Sequence, residues 1–150
     1  LLLYLFHIEG EHPGGSLGKR LLTRVADLMH TGTSMPLVNV DTNMKDAILE
    51  MTAKRLGITA VIDDMGNIRG IITDGDLRRA LEKGNNVLSK KAGDVMTKNP
   101  KKIVKTELAE SALRKMEEHS ITALVVFERD DDNTPIGIIH LHDLLKAGVV

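Results

Sequence analysis

Gly70-Ile71-Ile72-Thr73-Asp74-Gly75-Asp76-Leu77 is echoed 67 positions later by Gly137-Ile138-Ile139-His140-Leu141-His142-Asp143-Leu144. In both stretches a β-branched run ends in a polar residue and an Asp follows three positions on. This spelling marks a strand that passes directly into a helix. The echo continues outward. Asp27-Leu28-Met29 recurs as Asp94-Val95-Met96, again 67 apart. Ala47 and Met51 recur as Ala112 and Met116, 65 apart, and Ile58-Thr59-Ala60 recurs as Ile121-Thr122-Ala123, 63 apart. The offset changes only between blocks, where loops and helix ends absorb an insertion. Two copies of one supersecondary unit account for the pattern.

Each copy reads as β-α-β-β-α. In the first, 36–40 is a short extended run, and Met44, Ala47, Ile48, Met51 and Leu56 recur at helical spacing with Gly57 at the helix C′ position. The β-branched run 58–62, the turn residues 63–67 and the run 68–73 form a hairpin. A helix over 74–83 stops at Gly84. In the second copy the strands are 103–104, 123–127 and 136–140, the helices are 107–118 and 141–147, and 129–134 is a longer solvated hairpin loop. A three-stranded sheet with helices on one side cannot cover its own open face, whereas two such units face to face can. The expected fold is therefore α+β, two repeats (25–86 and 87–150) packed with pseudo-twofold symmetry, preceded by a tail or linker over 1–24.

Composition narrows the function. Twenty basic and twenty-one acidic residues give a formal net charge of −1, which argues against a nucleic-acid protein held by bulk positive charge. With no Cys, no Trp, one Tyr and two Phe, the chain offers no thiolate metal site, no cysteine nucleophile and hardly any aromatic stacking platform. The apolar stretch at 1–6 is far shorter than the ~20 residues of a spanning helix, so no membrane is expected and the chain reads as cytoplasmic. Residues 1–10 are set aside from the fold reading.

The quoted blocks resemble the CBS domain, and two in tandem resemble a CBS pair, or Bateman module, over about residues 25–148. The resemblance implies a non-catalytic sensor, requiring no cofactor, that binds a nucleotide between its halves and regulates an attached enzyme. A second similarity names that enzyme class. Glu11-His12-Pro13-Gly14-Gly15-Ser16, running on to Val25-Ala26-Asp27-Leu28-Met29-His30, is similar to the linker of D-arabinose 5-phosphate isomerases. In those proteins a sugar-isomerase (SIS) domain ends in His-Pro-Gly-Gly and a CBS pair follows. Residues 51–60 and 70–79 resemble the same family, which isomerises ribulose 5-phosphate for synthesis of the lipopolysaccharide sugar Kdo. The isomerase domain is absent here. His12 matches an active-site histidine of that domain, but without its partners no isomerase activity is expected.

The strand-to-helix junction 73–76 suits a phosphate, because free N–H groups and the positive end of a helix dipole converge there. By the resemblance, Thr73 and Asp76 contact ribose and phosphate; the bland alternative is that they only cap the helix. The resemblance further places Thr97, Pro100, Lys102, Ile121, Thr122 and Ala123 around the same cleft, with Ile58 and Thr59 along its wall. Arg78 and Arg79 are either phosphate partners or a solvated helix face. In the second copy His140 replaces Thr73 while Asp143 is kept, so a twin site at His140 and Asp143 is expected to bind differently, weakly or not at all. A metal held by His140, His142 and His119 is outweighed by a polar cleft wall, and Asp130 to Asp132 is read as a turn rather than a calcium loop. Met29, Met51, Met96 and Met116 read as core filler.

The ligand is expected to be an AMP- or ATP-type nucleotide or a cytidylyl (CMP) sugar. The expected partners are the attached SIS domain and further copies of the chain, with no nucleic acid. Two rivals stand beside this reading: a purely structural oligomerisation module that binds nothing, and a free-standing enzyme.

Overall fold

Four strands and three strands form two separate small sheets in the computed structural model, which describes residues 21–84 and 86–149. The first copy contributes β1 (Leu37–Asn39), helix α2 (Met44–Lys54), β2 (Ile58–Ile62), β3 (Ile68–Thr73) and α3 (Asp74–Lys83). The second contributes β5 (Lys102–Val104), α5 (Ala109–His119), β6 (Ala123–Phe127), β7 (Gly137–His140) and α6 (Leu141–Lys146). β1 pairs with β2 and β5 with β6 in parallel, and each hairpin is antiparallel, giving β1 beside β2 beside β3 and β5 beside β6 beside β7. The α+β, two-repeat expectation is met.

Local chemistry explains the ends. Asn43 caps α2 by accepting the Asp46 N–H at 2.9 Å. The left-handed residue closing α2 is Arg55 (φ 61°), and its repeat partner Ser120 (φ 53°) closes α5. Gly57, expected at that stop, follows two residues later. In the β2–β3 turn Asp63 Oδ1 accepts the N–H groups of Met65 (2.9 Å) and Asn67 (3.0 Å).

Three further elements escaped periodicity because they are too short to show any. These are helix α1 (Val25–Leu28), helix α4 (Ala92–Val95) and strand β4 (Thr97–Lys98). They lead into the two copies, and each lead crosses to the other copy. β4 pairs with β3, and His30, 67 positions before Thr97, bridges to Ile138 of β7. Val25 is fully buried among Ile103, Leu113, Leu124 and Ile139 of the second copy, and Ala92 among Val38, Met44 and Ile72 of the first. The two halves are thereby interlocked.

Strand alternation distributes the core. Val61, Ile72, Leu124 and Ile139 face the helices behind their sheets. Ile58, Ala60, Ala123 and Ile138 face the seam, where Met35, Leu37 and Ile71 join them. Each large side chain so buried contributes roughly 1.5–3 kcal/mol. Met29, Met51, Met96 and Met116 all belong to the helix-side cores, as expected. Among the described residues no helix is long and apolar enough to cross a membrane.

Candidate functional site

At the seam, the start of β2 and the end of β3 meet the start of β6 and the end of β7. They enclose a cleft of about 340 Å³. The first copy lines it with Ile58, Ile71, Thr73, Asp74 and Gly75, and the second with Ser120, Ile121, Thr122, Ala123 and His140. Aliphatic side chains form its walls and polar groups cluster where the two strand ends run into α3 and α6. Such a shape can sandwich a flat ring and hold a polar tail.

Thr73 is the N-cap of α3. Its N–H and hydroxyl donate to Asp76 Oδ2 at 2.8 and 3.0 Å. Oδ1 of the same carboxylate accepts from the Thr97 hydroxyl and from Arg79 Nη2, both at 2.6 Å. Asp76 is buried, which acts to raise its pKa, yet the hydrogen bonds from Thr97, the Thr73 N–H, Arg79 and the Thr73 hydroxyl prevail and hold it below the ordinary carboxylate value.

The second copy repeats this geometry with other side chains. His140 caps α6, its Nδ1 accepting the His142 N–H at 3.0 Å, while its own N–H donates to Asp143 Oδ2 at 2.8 Å. His30 Nε2 lies 2.8 Å from Asp143 Oδ1, and because a carboxylate only accepts, that nitrogen carries the proton. The His140 and His142 rings stack 5.3 Å apart. The His140 pKa is lowered, first by burial, then by repulsion from His142 and His30, against the opposing pull of Asp143.

Of the residues expected around the cleft, Thr73, Ile58, Ile121, Thr122 and Ala123 line it, and His140 forms its opposite wall rather than a detached twin site. Others do not. Thr59 is fully buried and shares the helix-facing side of β2 with Val61, because alternate residues of a strand point oppositely; its hydroxyl donates to the Ala60 carbonyl at 3.1 Å. Asp76 and Thr97 line a neighbouring groove with Arg79, Lys83 and Lys90, since β4 sits on the outer edge of β3. Pro100 lies in the link between β4 and β5 and lines no part of the cleft. Lys102 belongs to a third hollow, its Nζ donating to the Asp132 carbonyl at 2.8 Å and sitting 4.1 Å from the Phe127 ring centroid. Asp143 is turned to His30 instead of the cleft.

Arg79 pairs with Asp76, whereas Arg78 is exposed. The Asp130–Asp132 region is a turn in which Asp132 accepts the Arg129 N–H at 3.1 Å. His12 and the 1–20 part of the tail lie outside the described residues. Sequence reasoning named Asp74 and Gly75 only as part of the 73–76 junction, and it missed Ser120 and His30. The first two stand inside the quoted motif, Ser120 closes α5 as Arg55 closes α2, and His30 is the repeat partner of Thr97.

Interlocked β-α-β-β-α repeats with paired strand-end motifs in one seam cleft define a class of tandem-repeat module. The CBS domain family model matches residues 25–83 and 92–150, and the chain belongs to that family as a tandem pair. It is 48% identical over 139 residues to an arabinose 5-phosphate isomerase, KdsD, of Yersinia pestis, covering 93% of this chain. The chain spans 42% of that relative's length, the CBS part alone. Among solved structures, CBSX2 in complex with AMP is 26% identical with a TM-score of 0.69, covering 85% of this chain and 96% of its own. The CBS-domain containing protein ATU1752 from Agrobacterium tumefaciens is 27% identical with a TM-score of 0.72, covering 83% and 92%.

Proposed function

We propose that this chain is the regulatory half of a longer arabinose 5-phosphate isomerase, serving Kdo and lipopolysaccharide synthesis in the cytoplasm. It takes an adenine nucleotide or a nucleotide-activated sugar in the seam cleft. The observation that supports this most is that both strand-end motifs open into one cleft whose two walls belong to different copies. A ligand there touches both halves at once. Because each lead segment is built into the opposite copy, pulling the walls together also moves α1, the element that follows the linker. A change of that kind couples the cleft to an attached SIS domain, and coupling free energies of this sort are typically about 1–3 kcal/mol. The AMP bound by CBSX2 makes adenine nucleotides the first ligand to try. The cytidylyl sugar is the alternative that feedback logic suggests.

Calorimetric titration with AMP, ATP and the cytidylyl sugar tests the reading. Thr122 is exposed at the cleft mouth, so Thr122→Phe fills the cleft without disturbing the core. One of the three ligands binding to the wild type and lost in Thr122→Phe is the expected result. Silence from all three sinks the sensor reading.

A second reading, assembly without a ligand, draws on the exposed Leu49 (58%), Leu81 (59%) and Leu88 (57%). They stand on α2, α3 and the short turn between α3 and α4, and the turn packs against both helices. Light scattering on a Leu49→Lys/Leu81→Lys variant checks it, with a shift from dimer to monomer expected if these helices join copies.

A further inference from the structure

The cleft is unevenly charged. Among the described residues lining it, Asp74 alone carries a fixed charge, none is lysine or arginine, and His140 alone can become cationic near neutral pH. Two guanidiniums stand in adjoining hollows instead: Arg79, with Nη2 2.6 Å from Asp76, lines the neighbouring groove, and Arg55 lines a hollow that shares Gly57 and Asp74 with the cleft.

The repeat makes the asymmetry specific. The cluster of Thr73, Asp76 and Thr97 corresponds to the cluster of His140, Asp143 and His30, each completed by a lead segment from the opposite copy. The Thr73 and Thr97 hydroxyls that donate to the first carboxylate do not titrate between pH 4 and 9, whereas histidines occupy both equivalent positions in the second cluster, the His30 ring reaching Asp143 and His140 giving it a backbone N–H. Because His140 Nδ1 accepts the His142 N–H, the neutral ring bears its proton on Nε2, and a second proton can enter only at Nδ1, at the expense of that cap. The charged or titratable groups facing His140 are His142 and Asp143 on α6, His30 from the lead segment and Asp74 from the opposite copy.

We propose that His140 makes the ligand choice of this cleft proton-dependent: protonated, it holds an anionic group carried by a nucleoside, and neutral, it leaves the cleft selective for the uncharged nucleoside. The proposal rests on the nucleotide-site reading above and adds to it which wall takes the anion and when. Burial and the two neighbouring histidines keep the free ring neutral around pH 7, so acidification, or the anion itself, supplies the charge. By linkage, binding the anion takes up a proton, and binding the uncharged nucleoside does not.

Adenosine and adenosine 5′-sulfate are suitable probes, because the sulfate keeps one charge throughout the range. Affinities for both are measured by calorimetry at pH 5.5 and 7.5, the sulfate titrations being repeated in buffers of different ionisation enthalpy. The wild type is expected to raise its sulfate-to-adenosine affinity ratio about fivefold on acidification, the upper end of what an exposed charge pair contributes. Its sulfate enthalpy should report proton uptake. His140→Gln, and His140→Thr, which restores the other copy's side chain, should hold the ratio within about twofold and abolish the uptake. A flat ratio in the wild type, an unchanged pH response in both variants, or loss of the response in Arg79→Gln instead overturns the proposal. Adenosine binding with a flat ratio leaves the nucleoside site standing and removes only its proton dependence. Failure of both probes to bind overturns both.

Discussion

Asp76→Asn keeps the size of a side chain that is 5% exposed and removes its charge. The carboxylate accepts four hydrogen bonds, two from Thr73, one from Thr97 and one from Arg79. An amide accepts only at its single oxygen. That oxygen must stay with the Thr73 N–H, a backbone donor that cannot turn away. The amide nitrogen then faces Thr97, whose hydroxyl can rotate to accept, and Arg79, which is exposed and can swing into water. The Thr73 and Thr97 contacts survive as neutral bonds, a loss of about 1 kcal/mol at each residue. The exposed Arg79 pair adds about 0.5 kcal/mol. The total is about 2–3 kcal/mol, or roughly 4–12 °C in Tm for a chain of this size.

The pH dependence follows from the depressed folded pKa. Such a carboxyl stabilises the fold at pH values above its unfolded pKa and loses that contribution as pH falls through the folded one. The gap between wild type and Asp76→Asn is therefore full at neutral pH and closes in the acid range below about pH 4. Urea titrations at neutral pH and at several acid pH values measure it. A gap under about 0.5 kcal/mol at neutral pH, or one that persists unchanged in acid, refutes the reasoning. A double-mutant cycle with Thr97→Val isolates the contact between copies. Coupling of about 1 kcal/mol is expected, and strict additivity would show that this carboxylate does not hold the lead segment.

Other substitutions test the interlocking and the helix ends. A Cβ on Gly70 would stand 2.6 Å from the Thr97 carbonyl oxygen, and one on Gly137 2.9 Å from that of His30, so both Gly→Ala changes should destabilise by about 1–3 kcal/mol in denaturant melts, with Gly70→Ala the worse. Val25→Ala should cost about 1–3 kcal/mol and, by hydrogen exchange, deprotect β5 to β7 before β2 and β3, because Val25 is buried in the second copy's core. Arg55→Gly and Ser120→Gly each relieve a left-handed residue (φ 61° and 53°) and should raise stability by roughly 0.5–1 kcal/mol in thermal melts. A fall in Tm for both would contradict the cap assignment.

Much of this molecule was legible as text. The hairpin strands 58–62 and 123–127 agree residue for residue with β2 and β6, and the first repeat's second helix agrees with α3 over Asp74–Lys83. Those elements carry their own signal, since β-branched runs, turn carboxylates and Gly84 act within a few residues of themselves. The cleft walls at Thr73, Ile58, Ile121, Thr122 and Ala123 followed from the repeat and from family likeness. Thr59 did not, although simple alternation beside Ile58 and Ala60 already placed it on the other face.

The crossing of the lead segments shows where reading along the chain runs out in detail. Four-residue helices and a two-residue strand have no period, and nothing near Thr97 says that its hydroxyl will meet Asp76, 21 residues earlier. Lys102 was expected at a nucleotide and instead spans Phe127 and the 129–134 loop, a contact set by how β5 lies against β6. Patterning, turn chemistry and repetition are local and were written in the sequence. Which carboxylate turns to the cleft and which is consumed inside the fold depends on groups far apart in sequence competing for the same donors. Only the folded arrangement settles that competition, because a buried carboxylate goes to whichever donors the packing brings within hydrogen-bond distance.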